Sequence, residues 1–133
     1  MNCSIIIAGS RACDKQEDFL LLVKRFGSIQ EKENVIEIIS GGAFGADKLG
    51  EKLAKRHSIP VKLFKPDWKK YGKAAGPIRN RKMAEYASNK NGVLIALWDD
   101  SSKGTKYMIK AARDYDLRTY IIIPPRFKED KLF

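Results

Sequence analysis

Five short apolar runs, Ser4–Ala8, Val35–Ser40, Val61–Phe64, Val93–Trp98 and Thr119–Ile123, alternate with stretches in which apolar residues recur at helical spacing. The run Ser4-Ile5-Ile6-Ile7-Ala8 and the run Tyr120-Ile121-Ile122-Ile123 are nearly unbroken, as strands buried on both faces are, so the pattern predicts a mainly parallel sheet covered by helices. Helices are predicted over Lys15–Phe26, Gly45–His57, Ala75–Ser88 and Gly104–Tyr115. Phe19, Leu22, Val23 and Phe26 line one side of the first, and Leu49, Leu53 and Ala54 one side of the second. Gly27 is placed to end the first helix, while Pro60 and Pro124-Pro125 punctuate strand ends. The expected architecture is α/β, a single Rossmann-like three-layer sandwich around a five-stranded sheet, with 1–133 as one domain. Asp67–Gly76, rich in Lys, Tyr and Gly, reads as a long irregular stretch able to close over a ligand.

Three of the predicted strand ends give way to small and polar residues: Gly9-Ser10-Arg11, Ser40-Gly41-Gly42-Ala43-Phe44-Gly45-Ala46-Asp47 and Ser102-Lys103-Gly104-Thr105. In one parallel sheet these turns would share an edge, where backbone N–H groups and helix N-termini hold phosphates. Gly41, Gly42 and Gly45 permit the backbone conformations that bring N–H groups to an oxyanion. Asp47, in the first turn of the following helix, either complements the helix dipole or accepts from a sugar hydroxyl. Thr105 either caps its helix or touches the ligand, and Gly104 beside it favours the ligand. Arg79 and Asn80 follow Gly76-Pro77 and are expected in the first turn of their helix, beside its N–H groups. Trp68 and Tyr71 are candidates to flank a base, whereas Lys69, Lys70 and Lys82 read better as solvated surface. There is no Gly-Lys-Ser/Thr ending of a P-loop and no dinucleotide fingerprint, which argues against an ordinary kinase or hydride-transfer enzyme.

Charge sharpens this picture. Twenty-six Lys and Arg against 16 Asp and Glu leave a net +10, which favours an anionic partner: a phosphorylated small molecule first, nucleic acid second. Cys3, Cys13 and the lone His57 supply neither a zinc ligand set nor a cysteine–histidine nucleophile, and both thiols read as buried or spare. No metal site is expected, although Mg²⁺ could arrive with a nucleotide. No apolar run reaches the length of a membrane span and no basic leader precedes the first strand, so a cytoplasmic protein without a membrane partner is expected. The tail Arg126–Phe133 is short and mixed, to fray or to dock its Phe on a partner.

Taken together with Pro66-Asp67-Trp68 and Tyr71-Gly72-Lys73-Ala74-Ala75-Gly76-Pro77-x-Arg79-Asn80-x-x-Met83, the three turns resemble the YspA-type, YpsA-related branch of the SLOG superfamily across essentially the whole chain. The resemblance implies a Rossmann-like nucleotide-binding domain found in bacteria and their phages, related to the Lonely Guy phosphoribohydrolases and to the DNA-processing protein DprA. It implies a sensor or sequestering protein for an NAD- or ADP-ribose-derived ligand, with a role in phage–bacterial conflict, and a homodimer or higher homo-oligomer. Lonely Guy enzymes carry a catalytic glutamate three residues after the threonine of their Gly-rich motif, and that position here is Met108; their arginine four residues before a methionine corresponds to Arg79 before Met83. Binding therefore survives the comparison better than hydrolysis. N-glycoside or phosphate-ester hydrolysis stays as the alternative, with Asp47 and Arg79 as catalytic candidates and Asp67 and Asp99 as substitute acids. DprA-like nucleic-acid binding is the third reading.

Overall fold

A computed structural model describes residues 1–129; the end of the tail, including Phe133, lies outside them. Five strands, β1 (Asn2–Gly9), β2 (Asn34–Ser40), β3 (Val61–Leu63), β4 (Val93–Leu97) and β5 (Arg118–Ile122), form one all-parallel sheet in the order β3-β2-β1-β4-β5. The central register pairs Ile6 with Ile39 on one side and with Leu94 on the other. Helices α1 (Gln16–Gln30) and α2 (Ala46–Arg56) cover one face; α4 (Ala75–Ser88) and α5 (Lys103–Asp114) cover the other. This is the expected α/β Rossmann-like sandwich.

The alternation of β1 divides the core. Ile5 and Ile7 pack with Phe19, Leu22, Phe26 and Leu53 of α1 and α2, whereas Ile6 and Ala8 pack with Met83, Ala84, Met108 and Ile109 of α4 and α5. Strands β1 and β4 are buried on both faces, as their unbroken apolar runs predict. The run at β5 is different, because β5 is an edge strand: Tyr120 and Ile122 are half-buried and Ile121 is exposed.

Two local expectations give way. Gly27 lies inside α1 instead of ending it, because one further turn buries Ile29 against the core. The stretch from Asp67 is not irregular: it forms α3 (Trp68–Tyr71) and a 3-10 turn (Gly72–Ala74) that runs straight into α4, with the Asp67 carboxylate accepting from Lys70 N–H at 3.1 Å. After β5, α6 (Pro125–Glu129) returns to the start of α1, where Arg126 donates to the Asp18 carboxylate (2.8 Å) and to Ala12 O (2.7 Å). Among the described residues no helix is long and apolar enough to cross a membrane.

Candidate functional site

The sheet order puts the C-terminal ends of β2, β1 and β4 side by side, so the three motif turns do share one edge. They open into a cleft of about 960 Å³ whose other wall comes from Lys65-Pro66, Trp68 and the N-terminal half of α4. That is the carboxyl-edge crevice in which parallel α/β sheets place ligands.

Buried hydroxyls pin two of the turns together. Ser10 Oγ lies 2.7 Å from Ser102 Oγ and 3.3 Å from Thr105 Oγ1, and it accepts from Asp99 N–H at 3.0 Å. Ser102 Oγ in turn donates to Thr105 Oγ1 at 2.8 Å. Burial pushes the Asp99 carboxyl upward, but the N–H groups of Ser102 and Ser101 outweigh it and hold the group below the ordinary carboxylate range.

At the floor of the cleft the Asp47 carboxyl and the Arg79 guanidinium converge on Gly41. Asp47 is 4% exposed and accepts from Ala43 N–H at 3.1 Å. Burial pushes its pKa up to about 6, against the pull of that N–H, of the Arg79 charge and of Gly9 N–H. Arg79 Nη1 donates to Gly41 O at 2.7 Å and its Nε to Asn80 Oδ1 at 2.9 Å. Burial lowers the Arg79 pKa, and Asp47 opposes the shift. Gly41 makes the arrangement possible, since a Cβ there would lie 2.5 Å from Arg79 Nη1 and 2.9 Å from Asp47 Oδ2. Arg79 and Asn80 sit in the second turn of α4, not the first, and because Ala75 N–H already donates to Gly72 O, α4 does not open at the cleft with a bare first turn.

Of the residues singled out in the sequence, Gly9, Ser10, Arg11, Gly41, Gly42, Ala43, Asp47, Trp68, Gly76, Arg79, Asn80, Ser102, Gly104 and Thr105 line the cleft. Ser40, Gly45, Tyr71 and Lys103 lie outside its lining. Ser40 Oγ donates to Glu51 Oε2 at 2.8 Å and accepts from Gly42 N–H at 3.1 Å, so it shapes the loop. Gly45, at φ +84°, lets that loop press on the backbone of Ser10 and Arg11. Tyr71 lies under the ammonium groups of Lys70 and Lys82, and Lys103 is exposed on α5. The N–H groups of Gly42 and Ala43 are taken by Ser40 and Asp47, so much of the Gly-rich loop serves its own folding. Of the substitute acids, Asp99 lines the cleft, whereas Asp67 caps α3.

Sequence reasoning passed over Phe44, Lys65, Lys73 and Tyr107, all of which line the cleft. Phe44 is 71% exposed, Trp68 60% and Tyr107 50%, an aromatic rim at the mouth. Phe44 carried a signal, since it interrupts the Gly-rich loop with a large apolar side chain. Met108, at the position of the Lonely Guy glutamate, is buried against the floor. Both thiols are buried, and burial pushes Cys13 up to about 12 and Cys3 upward, which makes them inert at neutral pH. Among the described residues no group of three or more His, Cys, Asp or Glu is placed to hold a metal.

An all-parallel Rossmann-like sheet with a cleft across its central carboxyl edge defines a class of small-ligand-binding α/β domains. Residues 3–71, more than half of the chain, match the model of the YspA, cpYpsA-related SLOG family, and the protein belongs to that family. Membership suggests a nucleotide-related ligand-binding role. The matched span carries Gly9–Arg11, the Gly41–Asp47 loop and Trp68; Arg79, Asn80 and the Ser102–Thr105 turn lie beyond it. No curated protein and no solved structure matches the chain.

Proposed function

We propose that the cleft binds a phosphate-bearing nucleotide of the NAD or ADP-ribose class, and that the protein senses or sequesters this ligand. The observation that carries the reading is the Asp47–Arg79 pair over Gly41, which sets an acceptor for sugar hydroxyls beside a donor for phosphate oxygens. Arg11, Lys65 and Lys73 line the same cleft and bring its cations to four against Asp47 and Asp99, the balance suited to more than one phosphate. The rim rings of Phe44, Trp68 and Tyr107 offer faces on which a base can stack.

Titration calorimetry with ADP-ribose, NAD, AMP and ribose 5-phosphate, followed by mass analysis of the recovered ligand, tests the reading. ADP-ribose or NAD is expected to bind most tightly and to return intact. Gly41→Ala is expected to weaken binding about tenfold or more, because its Cβ would displace the Arg79 guanidinium. If none of the four binds, the reading falls.

One observation favours the alternative of N-glycoside hydrolysis: a carboxyl poised near pH 6 in the cleft is fit for general acid–base work. Recovery of cleaved ligand, with cleavage abolished in Asp47→Ala, would establish it.

A further inference from the structure

The positive charge is concentrated on one face of the molecule. Helices α3, α4 and α5 and the 3-10 turn between α3 and α4 hold ten Lys and Arg, of which Lys73 and Arg79 line the cleft, against two acids, Glu85 and Asp114, and so account for +8 of the net +10. On the opposite layer α1 is balanced, with Glu17 and Asp18 against Lys24 and Arg25. On α5 the cations fall at 103, 106, 110 and 113, spacings of three and four that place Lys103, Lys106, Lys110 and Arg113 in one exposed stripe. The stripe is about 15 Å long at 1.5 Å per residue. It begins beside Gly104 and Tyr107 at the mouth of the cleft, and Trp68 stands on the same rim. Arg81 of α4 reaches across to Asp114 at 3.2 Å, and Lys110 meets the same carboxylate at 3.0 Å, so one acid holds two cations of this face.

We propose that the α4–α5 face is a track for the phosphodiester backbone of single-stranded nucleic acid, entering at the aromatic rim. Regularly spaced cations match a regularly charged polyanion, and exposed rings at one end offer stacking for unpaired bases, which a duplex keeps within its own stack. Asp114 is the internal competitor, because a bound phosphate takes its place on Arg81 and Lys110. The α5 stripe lies outside the cleft, whereas the aromatic rim is shared with the nucleotide proposed there, so the test is made without added nucleotide.

The test is fluorescence anisotropy of the full chain with fluorescein-labelled dT12 and with a duplex of the same length. Four neutralised phosphates predict about a 50-fold loss of dT12 affinity between 50 and 200 mM salt. The double variant Lys106→Glu/Arg113→Glu is expected to weaken binding at least about tenfold and to flatten that salt dependence. Asp114→Asn, an exposed change that leaves the core untouched, is expected to tighten binding. The proposal is overturned if dT12 does not bind at 50 mM salt, if the duplex binds more tightly, if Asp114→Asn leaves affinity unchanged, or if Lys24→Glu/Arg25→Glu on α1 costs as much as the α5 reversal.

Discussion

A carboxyl as deeply buried as Asp47 sets ligand chemistry against fold stability. Its pKa rises from 3.8 to about 6 on folding, so between those values the native state binds more protons than the unfolded one. Stability therefore falls as pH rises from about 4 through 6, and above that window the ionised group costs about 3 kcal/mol relative to a neutral one. Asp47→Asn keeps an acceptor for Ala43 N–H without the charge. We expect the variant to melt several degrees above the parent at pH 8, to match it near pH 4, and to bind nucleotide poorly; equal melting at pH 8 would show that Asp47 is not penalised by burial. The Gly-x-Asp spacing of residues 45–47 made this residue visible in the sequence, but not its partner. Arg79 is 32 positions away, and the two side chains converge only because β2 ends and α4 begins at the same edge, on either side of a glycine with no Cβ to fill the space between them.

At the scale of elements, what the sequence showed were segments whose own burial fixes them, and what it hid were segments held by partners from elsewhere. Runs such as Val93–Leu97 bury every residue and announce a strand. Helix α3 presents only Trp68 and Tyr71 to an apolar count, neither is buried, and the element rests on the Asp67 cap and on the turn that leads into α4. Gly27 looked like a stop because a helix end is a local signal, whereas burial of Ile29 is a tertiary one. Helix α6 is the extreme case, tied by Arg126 and by Phe127 packed against the core. The Asp18 side chain is fully buried, and its donors are Arg126 and Lys15 N–H. Arg126→Met would leave that carboxylate with its backbone donor alone. A loss of about 2 kcal/mol is expected, read as a lower urea midpoint at unchanged slope. Asp18→Asn added to Arg126→Met should recover most of it; a single variant within about 0.5 kcal/mol of the parent would mean that α6 contributes little to holding the start of α1.

At the scale of the whole molecule, one sheet separates a helical layer with a small excess of cations, +2 on α1 and α2, from one carrying most of the net charge. Like charges along α5 and across to α4 repel through solvent, and the Debye length shrinks from tens of ångströms at low salt to about 10 Å at 0.1 M. The fold should therefore be strained by its own charge at low ionic strength and relieved as salt is added. The melting temperature without ligand is expected to rise by a few degrees between 20 and 200 mM NaCl, on the order of 1 kcal/mol for a domain of this size. The origin of the effect can be located. Lys106→Glu, in the middle of the stripe and exposed, should raise the melting temperature at 20 mM and flatten the salt response. Lys24→Glu, which changes net charge by the same amount on the balanced helix α1, should do neither. If the two variants behave alike, the response follows total charge and not its placement. If only Lys106→Glu responds, the α4–α5 face is a surface that gives up stability to keep its cations together.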